Sequence, residues 1–169
     1  MDARRESERM VSRTVVQRKS DRETVVTRTF NAPARLVFQA WSRPELFRQW
    51  WVPKSMGMTL LSCEMDVRVG GRYRLEFKNP AGPEPFAFFG RYLEVVPDSR
   101  ISWTNEESEE ASVTTVTFEE KDGRTLLVVH ELYPSKEALD AAGTGAADAM
   151  VETFAQLDEL LVSLGVGTR

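Results

Sequence analysis

The apolar positions of this chain change period along its length, and the changes delimit its elements. "ETVVTRTFNAP" predicts a strand ending at Asn31, with Pro33 at the first turn of a helix. In "ARLVFQAW", Val37 and Trp41 stand four apart with Phe38 beside them, giving that helix one apolar face. A second short helix is expected next, capped by Ser42, with Pro44 in its first turn and Phe47 facing inward. Strand signals follow. "LLSCEM" is the first. "GRYRLEFK" alternates cleanly, with Tyr73, Leu75 and Phe77 on one face and Arg72, Arg74, Glu76 and Lys78 on the wet one. After the turn "NPAGPEP", the alternation of "FAFFGRYLEVV" slips between Tyr92 and Val95, which predicts a bulge there. "RISWT" sets Ile101 and Trp103 on one face, and "EESEE" reads as an acidic loop. "SVTTVTFEE" and "RTLLVVHEL" flank "KDG", a hairpin signal centred on Asp122-Gly123.

The period then becomes helical. "PSKEALDAA" starts a short helix with Ser135 as N-cap, and "GTG" interrupts it. "AADAMVETFAQLDELLVSL" places Met150, Phe154, Leu157, Leu161 and Leu164 on one stripe, with Glu152, Gln156, Asp158 and Glu159 turned away. The order is a strand, two small helices, about six antiparallel strands and a long helix. A one-sided, twisted sheet of this kind can curl round the long helix and leave a gap between them. "TVVQ" near the start could pair as a weak edge strand. Residues 1–20 otherwise lack a period and read as a solvated tail, so the domain is expected over residues 21–166.

Bulk properties narrow the function classes. The 169 residues suffice for one domain with its own core. No apolar run is long enough to span a bilayer, and "MDARRESERM" lacks the apolar centre of a signal peptide, so a cytoplasmic protein is expected. Cys63 is the only cysteine and His130 the only histidine, which excludes an internal disulfide, a thiolate cluster and a two-histidine zinc site. Residues 1–35 carry nine Lys/Arg against five Asp/Glu, and the remainder thirteen against twenty-one. An acidic body argues against a nucleic-acid partner.

These segments resemble a known superfamily. "FNAPARLVFQAWSRPELFRQWW" resembles the opening of the SRPBCC (START-like, helix-grip) proteins, in the branch named after the activator of the heat-shock chaperone ATPase. "DVRVGGRYRLEF", with Asp66, Gly70 and Gly71, "FGRYLEVVPDSRISWT" and "SKEALDAAGTGAADAMVETFAQLDELL" fit the same branch in the same order, over roughly residues 22–164. The resemblance implies an α+β helix-grip fold, a curved antiparallel sheet of six to seven strands around the C-terminal helix. It implies three functions to weigh. One is binding of a small apolar or amphipathic molecule between sheet and helix. Another is partnership with a heat-shock chaperone in a stress response. The third is cyclase- or hydrolase-like catalysis. The branch name comes from a larger co-chaperone with an additional domain, for which this chain has no room.

The individual motifs fit either plain core packing or the lining of a binding site. Two neighbouring tryptophans cannot both face inward from a regular element, so of Trp50 and Trp51 one plugs the core and one is peripheral or walls a pocket. Phe47 faces inward and Trp50 is three residues on, so Trp50 is expected at the cavity and Trp51 at the periphery. "VGGRY" has neither a following helix nor a Lys-Ser/Thr pair, and its glycines serve a tight turn rather than a phosphate. His130 is the best candidate for orienting a polar ligand group if it faces the gap. Glu131 then points to the opposite face, so the two form no dyad. The hydrolase reading would need His130, Tyr73, Tyr92 and Glu64 to converge, and no nucleophile accompanies them. Methionines such as Met56, Met58 and Met150 suit a pliable lining. The expected cavity residues are Trp50, Met56, Tyr73, Leu75, Phe77, Phe88, Tyr92, Trp103, His130, Met150, Phe154 and Leu157. No catalytic residue, metal or cofactor is implied.

Overall fold

The computed structural model describes residues 14–80, 84–106, 111–142 and 145–164. Most of the acidic loop, the middle of the "NPAGPEP" turn, part of "GTG" and the first thirteen residues lie outside them. Eight strands form one antiparallel sheet: β1 (Val15–Arg18), β2 (Glu23–Phe30), β3 (Thr59–Met65), β4 (Arg72–Lys78), β5 (Phe86–Val96), β6 (Arg100–Asn105), β7 (Ser112–Lys121) and β8 (Arg124–Leu132). Their spatial order is β1-β2-β8-β7-β6-β5-β4-β3. The chain leaves β2 near one edge and crosses to the far edge through α1 (Ala34–Ser42), α2 (Pro44–Phe47) and a single 3-10 turn (Lys54–Met56). It then returns as a meander that ends beside β2. Two helices close the domain, α3 (Lys136–Ala142) and α4 (Gly145–Ser163), and α4 packs on β2, β1 and α1. This is the helix-grip fold, with eight strands rather than six to seven.

The periods explain these elements. In β4, Tyr73, Leu75 and Phe77 are buried and Arg72, Arg74 and Lys78 exposed; in β7, Ser112, Thr114, Val116 and Phe118 are buried. The register of β5 against β6 shifts between Tyr92 and Glu94, at the expected bulge. Asp122 and Gly123 both have positive φ, the backbone of the two-residue hairpin turn that matches strand twist. Ser135 Oγ accepts the backbone N–H of Ala138, the expected cap of α3. Ser42 caps nothing: it is the last residue of α1, and Arg43 precedes α2 without a side-chain cap bond. The buried face of α4 is wider than the predicted stripe. Thr153, Gln156 and Leu160 are buried alongside Met150, Phe154, Leu157 and Leu161, whereas Leu164 is exposed.

Gly90 is required by close approach. A Cβ there would lie 1.8 Å from the carbonyl oxygen of Thr104 and 3.0 Å from the Tyr73 ring. The missing side chain lets Tyr73 reach across β5, where its hydroxyl donates to the Thr104 carbonyl at 2.8 Å.

The sheet begins earlier than Asp21. β1 pairs with β2 from Val15↔Thr27 to Arg18↔Thr24, and Arg18 bridges to Asp140 of α3 at 2.7 Å. The weak apolar signal of "TVVQ" reflects an edge strand with Val15 and Gln17 exposed; its stability comes from the ladder, not from burial. Deleting residues 1–20 is therefore expected to lower the thermal midpoint by several degrees, at about 2–4 °C per kcal/mol for a domain of this size. An unchanged midpoint in a thermal melt would show the ladder to be dispensable.

Candidate functional site

The concave face of the sheet does not meet α4 flush. A cavity of about 600 Å³ remains between them, within the usual range for small-molecule sites. Its floor comes from alternating positions of the meander: Tyr73, Leu75 and Phe77 of β4, Phe88 and Tyr92 of β5, and Trp103 of β6. Met150 and Thr153 of α4 and the alanines of α3 form its roof. Trp41 and Phe47 close it on the side of α1 and α2, and the segment after α2 contributes Trp51, Val52, Pro53, Met56 and Met58. The wall is overwhelmingly apolar and aromatic because the concave face is the buried parity of each strand.

The polar groups are few and ordered. Asn105 donates from Nδ2 to the hydroxyls of Ser112, at 3.0 Å, and Thr114, at 2.8 Å. Its Oδ1 accepts from the Trp103 indole at 3.2 Å and, also at 3.2 Å, shares the single Tyr73 hydroxyl proton with the nearer Thr104 carbonyl. The amide thereby locks two aromatic walls and two hydroxyls into one network. Burial pushes the Tyr92 phenol well above its ordinary value, with a smaller contribution from Cys63, so it stays neutral in the physiological range. At the far end, Glu131 and Tyr133 line the cavity together, and the Tyr133 hydroxyl donates to Glu131 at 2.9 Å.

The segment over the cavity is strapped to α4. Gln156 Nε2 donates to the carbonyls of Trp50, at 2.9 Å, and Val52, at 2.8 Å, while its Oε1 accepts from Lys54 N–H at 2.9 Å. One turn earlier on the helix, Glu152 accepts from both the amide and the hydroxyl of Ser55. These bonds hold the Glu152 carboxyl below the usual carboxylate value, the Ser55 hydroxyl contributing most. A carboxyl with a depressed folded pKa contributes fully above its unfolded value and loses that contribution as pH falls through the folded one. The fastening at Ser55 is therefore expected to release below about pH 4.5. The emission of Trp51 should change through that range in the parent and not in Glu152→Gln; an identical acid response in both would refute it.

The tryptophan pair is arranged in the reverse of the sequence expectation. Trp50 is fully buried, does not line the cavity, and donates its indole N–H to the Ala40 carbonyl at 3.0 Å, plugging the corner between α1 and α2. Trp51 stacks on Phe47 with ring centroids 4.8 Å apart and lines the cavity. The helical phase carried Trp50 inward correctly, but inward there is core. Helical geometry does not persist beyond it, and Gln156 draws the following backbone over the mouth.

Of the other expected residues, Met56, Tyr73, Leu75, Phe77, Phe88, Tyr92, Trp103 and Met150 all line the cavity. Phe154 and Leu157 do not; both are fully buried in the core beneath α4. His130 is on the other face of β8, with Nε2 2.6 Å from Glu23 of β2. That contact is the main cause of the lowered Glu23 carboxyl and ties two strands together. Glu64 is exposed on the outer face of β3, so the four polar groups of the hydrolase reading do not converge. The residues missed are Glu131, Gln156 and Asn105. The two-residue turn at Asp122-Gly123 fixes the register that pairs Glu131 with Thr114. Thr114 shares parity with Val116 and Phe118, and that route would have placed Glu131 inside. Among the described residues, no cluster of three or more His, Cys, Asp or Glu is set to hold a metal ion. Nor is any described helix long and apolar enough to cross a membrane.

Comparison with known proteins supports this architecture. A crystal structure of a Rhodobacter sphaeroides protein superposes with a TM-score of 0.79 at 24% identity, covering 89% of this chain and 99% of that one. A Mycobacterium smegmatis protein gives 0.74 at 26% identity, covering 88% and 96%. The solution structure of an AHSA1-like protein from Aeromonas hydrophila gives 0.66 at 17% identity, covering 86% and 96%. These likenesses speak for the fold. No curated protein matches the chain. Residues 31–162 match the family model described as Activator of Hsp90 ATPase homolog 1-like protein, and by that match over most of its length the chain belongs to this family.

Proposed function

We propose that the protein binds a small apolar or amphipathic molecule in the cavity between sheet and α4. The observation that carries this reading is the cavity itself: about 600 Å³ kept open between the sheet and α4, with an apolar and aromatic wall. Filling it with side chains would stabilise the fold, since each buried methylene is worth about 0.8 kcal/mol. The Asn105 network also orients Tyr73 and Trp103 around this space, preforming the walls instead of letting them collapse. The chaperone reading rests on the family description alone, whereas the binding reading rests on a built site.

The test uses N-phenyl-1-naphthylamine, an apolar probe uncharged at neutral pH. Saturable binding with quenching of tryptophan emission is expected. Trp51→Phe should remove a large part of the quenching. Trp50→Phe should leave it nearly intact, because that indole does not reach the cavity. Absence of saturable binding, or quenching that depends on Trp50 alone, would overturn the proposal.

A further inference from the structure

We infer that the ligand carries a neutral carbonyl oxygen, which accepts from the indole N–H of Trp41 and the hydroxyl of Thr153. This rests on the binding reading above and specifies the chemistry of its ligand.

Buried polar groups in a folded domain are almost always hydrogen-bonded, so one that is not calls for a reason. Among the described residues, three buried side-chain polar atoms have no partner: Trp41 Nε1, Thr153 Oγ1 and Arg28 Nε. Trp41 and Thr153 both line the cavity, and Arg28 does not. The other two buried indoles are paired: Trp50 donates to the Ala40 carbonyl at 3.0 Å and Trp103 to Asn105 Oδ1 at 3.2 Å. The hydroxyls of Ser112 and Thr114, in the same wall, are paired through Asn105 Nδ2. The Trp41 ring is wedged among Trp50, Trp103 and Trp51, with centroids 4.8, 5.9 and 6.0 Å away, so its N–H cannot swing to a new acceptor. A helical threonine commonly bonds to the carbonyl one turn back, and Thr153 does not.

The two residues stand where α1 and α4 pack together, Trp41 near the end of one helix and Thr153 in the middle of the other. The Trp41 ring lies 6.3 Å from that of Phe154, the residue after Thr153. Both polar atoms are sealed from water, so solvent does not stand in for the partner. Met150, three residues before Thr153 on the same helix face, also lines the cavity. Its unbranched side chain re-packs easily, and a small movement of it admits a ligand oxygen beneath.

The donors select the ligand group. An indole N–H only donates, so the ligand must present a lone pair, which an ammonium lacks. A carboxylate has lone pairs, but among the described residues no Lys, Arg or His lines the cavity, and an anion buried without a cation is costly. A ligand hydroxyl accepts but brings a donor that needs an acceptor of its own. A carbonyl needs no countercharge, and its two lone pairs serve both donors. The aromatic wall suits a body of rings behind it.

Four probes with one diphenylmethyl body decide the matter: benzophenone, diphenylmethane, diphenylacetate and protonated diphenylmethylamine. Each is titrated to displace N-phenyl-1-naphthylamine at pH 7. Benzophenone is expected to bind most tightly, although diphenylmethane is the more apolar. Trp41→Phe keeps a ring but removes the N–H, and Thr153→Val keeps the shape but removes the hydroxyl. Each should weaken benzophenone about fivefold and leave diphenylmethane within about twofold. Thr153→Val should also raise the thermal midpoint by about 2 °C or more, since it removes a buried hydroxyl that has no partner. A lowered midpoint would show that hydroxyl to be satisfied within the protein and would overturn the inference. So would tightest binding of either charged probe, or equal losses for ketone and hydrocarbon in both variants; in these cases the binding cavity stands. If none of the four displaces the naphthylamine, the binding reading and this inference fall together. Should Trp41→Phe fail to fold, Thr153→Val and the ranking on the parent protein still decide.

Discussion

Replacing Gln156 with leucine is expected to cost about 2–4 kcal/mol and to open the mouth of the cavity. Leucine preserves most of the side-chain volume, so the loss isolates the amide. That amide makes three hydrogen bonds to one short backbone segment: the carbonyls of Trp50 and Val52 and the N–H of Lys54. A buried group left unpaired costs roughly 1–3 kcal/mol, and the Trp50 carbonyl is buried; Lys54 is exposed, so its N–H recovers water and costs little. The total is therefore less than three full penalties. The functional consequence is larger than the energetic one. Trp51, Val52, Pro53 and Met56 all follow this anchor and all line the cavity. Freed from α4, the segment should exchange faster with solvent, and the naphthylamine probe should leave faster. Denaturant unfolding measures the first effect and stopped-flow displacement the second. Glu152→Ala, which removes only an exposed fastening, should do much less of both. Equal effects of the two substitutions would show that Gln156 is not the strap.

The frame of the molecule was legible because its sheet is one-sided. Where one face is wet, as in β4, alternation states which residues point inward, and Tyr73, Leu75 and Phe77 were placed from that alone. The bulge in β5 and the turn at Asp122-Gly123 were legible for the same reason: each is a local break in a regular pattern. Legibility failed where both faces of an element are apolar or where tertiary bonds steer the chain. In β8, Leu126 and Val128 alternate with Leu127 and Val129, so hydrophobicity does not give the parity and does not decide between His130 and Glu131 for the cavity face. Residues 50–56 have no period of their own; three hydrogen bonds from Gln156 determine their path. Gln156 itself reads as a solvent-facing position beside an apolar stripe. Its inward direction is visible only through the second row that Thr153, Gln156 and Leu160 make at spacings of three and four. The edge strand β1 is faint in the sequence because an edge strand holds by its ladder and need not bury side chains.

Truncating Phe154 to alanine is expected to be the most destabilising single change considered, at about 3–5 kcal/mol. The ring is fully buried, and it does not border the cavity. It makes an edge-to-face contact with Phe30 of β2 at 5.7 Å between centroids, and lies 6.3 Å from both Trp41 and Trp50. Four aromatic residues from α4, β2, α1 and the segment after α2 therefore meet at this point, and the ring is the only one of them that α4 supplies. Two effects add on its removal: the lost transfer energy of the ring, and a void that rigid aromatic neighbours fill poorly. The position also separates two kinds of empty space in one domain. The cavity beside Trp51 is present in the parent protein and lined by an ordered polar network, whereas a void at Phe154 would be new and dry. The naphthylamine probe should consequently bind Phe154→Ala with unchanged stoichiometry below its unfolding transition, while the denaturant midpoint drops sharply. A second probe molecule bound per protein, with little loss of stability, would mean that Phe154 walls the cavity after all and that the core and the binding space are continuous.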